Sequence, residues 1–233
     1  RMEREQETNS NADRFHVKAR QLHYPNSKIT RFPVPEEKVP WNVSFSSYMP
    51  TYYSPEDGGD HVDGNPEGRT GIRGRGALSH LGPNLNLDLV VTRSNEFEIG
   101  FFRWRDSSTS VLEYLAVLNP NFKSLALPGV SEKCYKCLNR CACTVVRHRH
   151  FPSCPMQTVS EGYVDDCRNT DNAWVETTVL NIHLDRTSQV IADINNLVGC
   201  FYFRFCQVDR RSRLSSNQRV SLQKVAVLHN MKF

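Results

Sequence analysis

Three segments of the chain concentrate side chains that can do chemistry. Gly68-Arg69-Thr70-Gly71-Ile72-Arg73-Gly74-Arg75-Gly76 sets three arginines among glycines. Backbone N–H groups bared by glycine and guanidinium forks together can hold phosphate oxygens. No Gly-Lys-Ser/Thr follows, and no Gly-x-Gly-x-x-Gly sits after a strand here, which excludes a Walker loop and a dinucleotide fingerprint. A tight turn with solvated arginines suits the same residues. Glu161-Gly162-Tyr163-Val164-Asp165-Asp166-Cys167-Arg168-Asn169-Thr170-Asp171-Asn172-Ala173-Trp174 is the second segment. Asp166 could accept from a ribose hydroxyl and Arg168 could donate to a phosphate, or the whole run could be a turn held by Asp and Asn side chains.

Cys134-x2-Cys137-x3-Cys141-x-Cys143-x4-His148-x-His150-x3-Cys154 is the third segment. A closed zinc site needs four ligands converging tetrahedrally, normally from two elements. Cys134, Cys137 and Cys141 fall at i, i+3 and i+7, on one face of a single helix, and no second Cys-x-x-Cys exists. Packed or free thiols and no metal are expected. No histidine stands in a recognisable nucleophile context.

These groups need elements to position them. Leu87–Arg93, Phe97–Arg105, Val111–Leu118, Gly162–Val164, Trp174–Leu184 and Phe201–Val208 read as strands. Cys134–His150 carries apolar residues at helical spacing. Ser216 is the expected N-cap of a closing helix to Met231, with Val220, Leu222, Val225, Val227 and Leu228 in helical distribution. Strands, a helix, more strands and a last helix predict a mixed sheet sandwiched by helices. Prolines crowd Arg31-Phe-Pro-Val-Pro and Val39-Pro-Trp41, which forbids helix there. Residues 1–30 are polar, without apolar periodicity, and read as a linker or lead-in.

Composition bounds the class. The 233 residues are 39% hydrophobic and 23% charged, enough to bury a sizeable core. No apolar run approaches the ~18 residues that span a bilayer. A charge of +4 suits an anionic ligand but falls short of a dedicated nucleic-acid binder. Eight cysteines in a chain with no apolar signal region are expected as reduced thiols. Arg1-Met2 is expected of a domain from inside a longer protein.

Several long runs, in order, then carry a resemblance: Arg31-Phe-Pro-Val-Pro-Glu-Glu-Lys-Val-Pro-Trp41, Gly68–Gly76, Leu125-Ala-Leu-Pro-Gly129, Gly162–Trp174 and Gln207-Val-Asp-Arg-Arg211. They resemble the ADP-ribose pyrophosphatases of the Nudix superfamily, most of all the version fused to the cytosolic end of the ADP-ribose-gated melastatin-type cation channel. The resemblance implies an α/β fold, a Nudix α/β/α sandwich with mixed sheet, preceded by a smaller loop- and strand-rich subdomain. It places the lead-in at 1–30, the subdomain at 31–86 and the Nudix-like core at 87–233.

The family's box, G-x5-E-x7-R-E-x2-E-E-x-G, holds divalent cations through glutamates. Its positions fall here on Val130, Lys136, Thr144, Val145, His148, Arg149 and Phe151. Mg²⁺ needs oxygen ligands, and none of these supplies a carboxylate. Glu132, Glu161 and Asp165 remain as possible substitutes. The resemblance therefore implies a catalytically silent domain that binds ADP-ribose or a related nucleotide, without a cofactor. Asp166 and Arg168 match the family's ligand-holding pair. Leu214 and Asn217 match positions that touch the ligand, with Ser215 where the channel version has tyrosine. Gly129 and Ser131 fall where the family's backbone passes the phosphates, and Thr70 and Arg73 lie in the matching glycine loop. The implied setting is the cytoplasmic ligand-sensing part of a calcium-permeable, homotetrameric plasma-membrane channel. An active ADP-ribose pyrophosphatase using Mg²⁺, giving AMP and ribose 5-phosphate, is the alternative. A relic that only assembles subunits is a third reading.

Overall fold

A computed structural model describes residues 16–53, 64–96, 110–119, 124–131, 155–185, 203–209 and 212–231. The expected strand Phe97–Arg105 and the expected helix Cys134–His150, with its cysteine cluster, lie outside the described residues. The chain divides into two compact units, Arg1–Asn84 with Asp165–Val175, and Leu85–Val164 with Glu176–Phe233.

The first unit has little regular structure. Strands β1 (Thr51–Tyr52) and β2 (Ile72–Arg73) form a short parallel pair, and single 3-10 turns occur at Lys18–Arg20 and Glu36–Lys38. Its interior is polar. Alongside Ala19, Tyr24, Val39 and Ile72, the buried residues include Arg31, Asn65, Arg69, Thr70, Asp166, Asn169, Thr170 and Asp171. Groups of this kind stay inside only when hydrogen-bonded. Asp171 accepts from the Thr70 N–H at 2.7 Å, the Thr70 hydroxyl at 2.8 Å and the Tyr48 hydroxyl at 2.7 Å. Residues 16–30, read from the sequence as a loose lead-in, are instead tied down. The Tyr24 N–H donates to the Ile29 carbonyl and the Arg31 N–H to the Leu22 carbonyl, around a bridge between His23 and Thr30, and His16, Ala19 and Tyr24 are buried. Further anchors lie far away in sequence, Arg69 for His16 and Asp165 for Lys18 and Ala19, which is why local polarity misleads there.

Among the described residues the second unit is built on a sheet of eight strands. Its path runs through β10 (Phe203–Gln207), β4 (Ser110–Asn119), β3 (Gly82–Glu96), β9 (Ala173–Leu184) and β7 (Met156–Ser160). Short strands β5 (Ser124–Ala126), β6 (Gly129–Ser131) and β8 (Tyr163–Val164) pair β4, β3 and β9 respectively. Alternation puts successive side chains on opposite faces, and both faces are apolar. Leu89, Val91, Leu115, Ile182, Leu184 and Phe203 form one cluster; Val90, Tyr114, Ala116, Val179 and Leu214 belong to the other. Helix α1 (Ser216–Leu228) adds Leu222 and Val225 to the second cluster.

The helix corrects two sequence expectations. Its N-cap is Ser215, not Ser216, because the Ser215 hydroxyl accepts from the Gln218 N–H at 3.3 Å, satisfying one donor that the helix leaves open. The helix also stops at Leu228, before Met231. Asn230 takes φ +56°, and the Met231 N–H returns to the Ala226 carbonyl, closing the end as a left-handed cap does.

Candidate functional site

In the first unit, Asp166 and Arg168 form a fork on one loop. The Asp166 Oδ1 accepts from the Arg168 backbone N–H at 2.9 Å and from Nε at 2.8 Å, and Oδ2 accepts from Nη2 at 2.9 Å. Asp166 is buried, whereas the Arg168 side chain is 40% exposed. Burial alone would raise the Asp166 carboxyl, but the hydrogen bonds and charge of Arg168 outweigh it and hold it below the usual carboxylate range. The same pairing raises Arg168, against the effect of its own burial. Nη1 of Arg168 makes no hydrogen bond among the described residues. Arg168 is thus a guanidinium fixed by a carboxylate that offsets its charge, with the Nη1 edge unengaged among the described residues.

The remaining side chains of this segment turn inward. The Asn169 Oδ1 accepts from the Val175 N–H, and the Thr170 hydroxyl donates to the Gly74 carbonyl. Both Asp165 oxygens accept from backbone donors, Lys18 N–H at 2.8 Å and Ala19 N–H at 2.9 Å, so this carboxylate is not a ready metal ligand.

The glycine loop is an internal turn. The Gly71 N–H donates to the Tyr48 hydroxyl, Gly74 N–H to the Asn172 side-chain oxygen and Gly76 N–H to the Tyr53 carbonyl. All three glycines have positive φ, and a Cβ on Gly71 would stand 2.2 Å from the Phe32 carbonyl oxygen. The N–H groups that a phosphate would need are spent. Arg69 is buried, donates to the Lys38 and Pro40 carbonyls and lies over the ring of Trp41. Arg75 donates to Leu78 and Ser79 carbonyls. The Thr70 hydroxyl is likewise turned inward, to Asp171. Arg73 alone of the three arginines is exposed without a side-chain partner among the described residues.

The second unit holds the other expected positions. Gly129 and Ser131 lie on β6, opposite Asp88 and Asn86 of β3. Asn217 is half-buried in the first turn of α1, and its carbonyl accepts from the Ser221 hydroxyl at 3.4 Å. Leu214 is buried in the apolar cluster under the helix. Asp88, which sequence reasoning passed over, joins two of these. It is the register partner of Gly129, and its Oδ2 accepts from the Ser221 hydroxyl at 2.7 Å, one turn beyond Asn217. Burial pushes the Asp88 carboxyl up, against hydrogen bonds from Ser221 and Gln218. The signal was present: a lone carboxylate in the apolar run Leu87-Asp88-Leu89-Val90-Val91.

Divalent-cation chemistry requires a carboxylate cage. The box positions of this chain offer Lys136, Val145, His148 and Arg149, none of them a carboxylate, and Asp165 already accepts from two backbone donors. Among the described residues no cluster of three or more His, Cys, Asp or Glu could hold a metal, and no helix is long and apolar enough to cross a membrane.

No protein-family model matches the chain. It is 36% identical over 95% of its length to the mouse transient receptor potential cation channel subfamily M member 2, and 37% identical to the rat protein over the same share. It spans 18% of the length of those channels. It is 30% identical to the rat mitochondrial ADP-ribose pyrophosphatase, over 82% of this chain and 71% of that enzyme. A mutT/nudix family protein from Listeria innocua overlaps 63% of the chain with a TM-score of 0.43 and 10% identity. The chain belongs to the Nudix family, with its α/β fold, and is close to the Nudix-homology region of the subfamily M member 2 channels.

Proposed function

We propose that this domain binds ADP-ribose without hydrolysing it and serves as the cytoplasmic ligand-sensing part of a calcium-permeable channel. The observation that carries the reading is Arg168. Its Nε and Nη2 are locked by Asp166 while Nη1 stays unengaged on a part-exposed side chain. A fixed guanidinium edge is a pre-organised donor for a pyrophosphate oxygen. In this reading Asp166 aims the arginine, since both its oxygens are taken, and Arg73 is a second available cation. The names of two relatives support the ligand class and the channel setting.

Silence at the chemical step rests on the box. A pyrophosphate is hydrolysed by neutralising its oxygens and activating a water, and Nudix enzymes assign both tasks to carboxylate-held cations. Lys136 and Arg149 carry positive charge, and no box position supplies the oxygen ligand that Mg²⁺ prefers. Titration calorimetry with ADP-ribose tests the binding half: a saturable heat in the full chain supports it, and none at any accessible concentration removes it. The second reading, an active pyrophosphatase, is favoured by the identity to the rat enzyme. With excess Mg²⁺ or Mn²⁺ the chain is expected to release no AMP or ribose 5-phosphate above background. An enzyme-like rate that Arg168→Ala abolishes would install the second reading instead.

A further inference from the structure

The loop that carries Arg168 has its own turn, with the Asn169 N–H on the Asp166 carbonyl, and is also held from outside. Segment 16–31 grips it at nearly every residue. Lys18 and Ala19 N–H groups donate to Asp165. Arg31 Nη2 donates to the Cys167 carbonyl at 2.6 Å and to the Asn169 carbonyl at 3.0 Å. Between them, the Tyr24 hydroxyl donates to the Arg168 carbonyl at 2.8 Å. Three consecutive carbonyls, centred on Arg168, are therefore pinned by two side chains. Those two side chains support each other, with the Arg31 guanidinium carbon 5.0 Å above the Tyr24 ring, and both are buried. Tyr24 is fixed in turn, since its oxygen accepts from the Ala77 N–H at 2.7 Å. Arg31 also donates to the Thr70 carbonyl.

We infer that Tyr24 and Arg31 are positioning residues for Arg168: they fix the backbone on both sides of it, as Asp166 fixes its side chain, so that its free edge is presented to a phosphate in one place. The inference rests on reading Arg168 as the phosphate-binding residue. Its physical basis is pre-organisation. A cation already ordered before the ligand arrives does not spend binding free energy on becoming ordered. Neither residue reaches the ligand in this account, and both act only through Arg168.

The test is a double-mutant cycle read by ADP-ribose titration. Tyr24→Phe keeps the ring beneath Arg31 and removes only the hydroxyl. In the wild-type background it should weaken binding about threefold to tenfold, the worth of one positional hydrogen bond. In an Arg168→Ala background it should weaken binding no further, because the group it positions is gone. Arg31→Lys keeps the charge but loses the planar fork spanning two carbonyls. It should weaken binding in the same background-dependent way, and it enters the cycle if Tyr24→Phe does not fold. Equal loss in both backgrounds, or no loss in the folded variant, overturns the inference alone, provided Arg168→Ala by itself weakens binding. Unchanged affinity in Arg168→Ala overturns the phosphate reading and the inference together.

Discussion

Truncating Asp166 to alanine separates the two tasks this carboxylate performs. The substitution removes the acceptor of three hydrogen bonds, from the Arg168 backbone N–H, Nε and Nη2. A fully buried pair broken on one side costs ~3–5 kcal/mol. Here the arginine is 40% exposed, so water screens the stranded charge and the ionic share falls to about 1 kcal/mol. The orphaned backbone N–H adds about 1 kcal/mol, for a total near ~2 kcal/mol. Urea unfolding followed by tryptophan fluorescence suits the measurement, because Trp41 and Trp174 both belong to the unit that holds the pair. The pH dependence has a definite sign. The folded Asp166 carboxyl lies below its ordinary range, so its stabilisation is fully present above the unfolded pKa of about 4. It is lost as pH falls through the folded value. The gap between wild type and Asp166→Ala should therefore stay level from about pH 6 to 8 and shrink below about pH 4. ADP-ribose affinity should also fall, by about fivefold, as Arg168 regains rotamer freedom. A variant with wild-type stability and wild-type affinity would refute the idea that Asp166 holds this arginine for a ligand.

Asp88→Asn should stabilise the protein at neutral pH by about 1 kcal/mol, because it removes a desolvated charge while leaving an oxygen for Ser221. The Asp88 carboxyl is raised in the folded state, so folding takes up a proton between the two pKa values and the charge penalty grows as pH rises through that window. The advantage of Asp88→Asn in thermal unfolding should accordingly vanish in acid; an advantage that persists there would mean the gain is not electrostatic. Gly71→Ala should cost ~2–5 kcal/mol, from the φ of +85° and the Cβ contact with the Phe32 carbonyl. Denaturant titration measures it, and a near-neutral result would show that the loop can turn another way.

How much of the molecule was legible from its residues differs between the two units. In the second, Val111–Leu118 and Trp174–Leu184 became strands within a residue or two, and the closing helix is capped by a serine one residue before the one expected. Apolar alternation and a cap are local, and they sit within the reach of a short window of sequence. In the first unit the local signals misdirect. Glycines and arginines at 68–76 look like a phosphate cradle, and the polar stretch 16–30 looks loose.

The sequence by itself determined strands β3, β4, β8, β9 and β10 but not β5, β6 or β7, the helix under which Leu214 packs, the family and the lack of carboxylates at the box positions. Those properties follow from residue identity at near-neighbour spacing and from long ordered runs. Only the tertiary structure decided which charged groups are free. Arg69, Arg73 and Arg75 are equivalent in the sequence, yet one is buried on carbonyls, one is half-spent on its own turn and one is exposed. Asp165 and Asp166 are adjacent, yet the first is held by the backbone of Lys18 and Ala19 and the second by Arg168. The reason is that a buried polar group must find its partner wherever the fold brings one. For Tyr24, Arg31 and Asp165 that partner lies more than a hundred residues away, in contacts that no local pattern encodes.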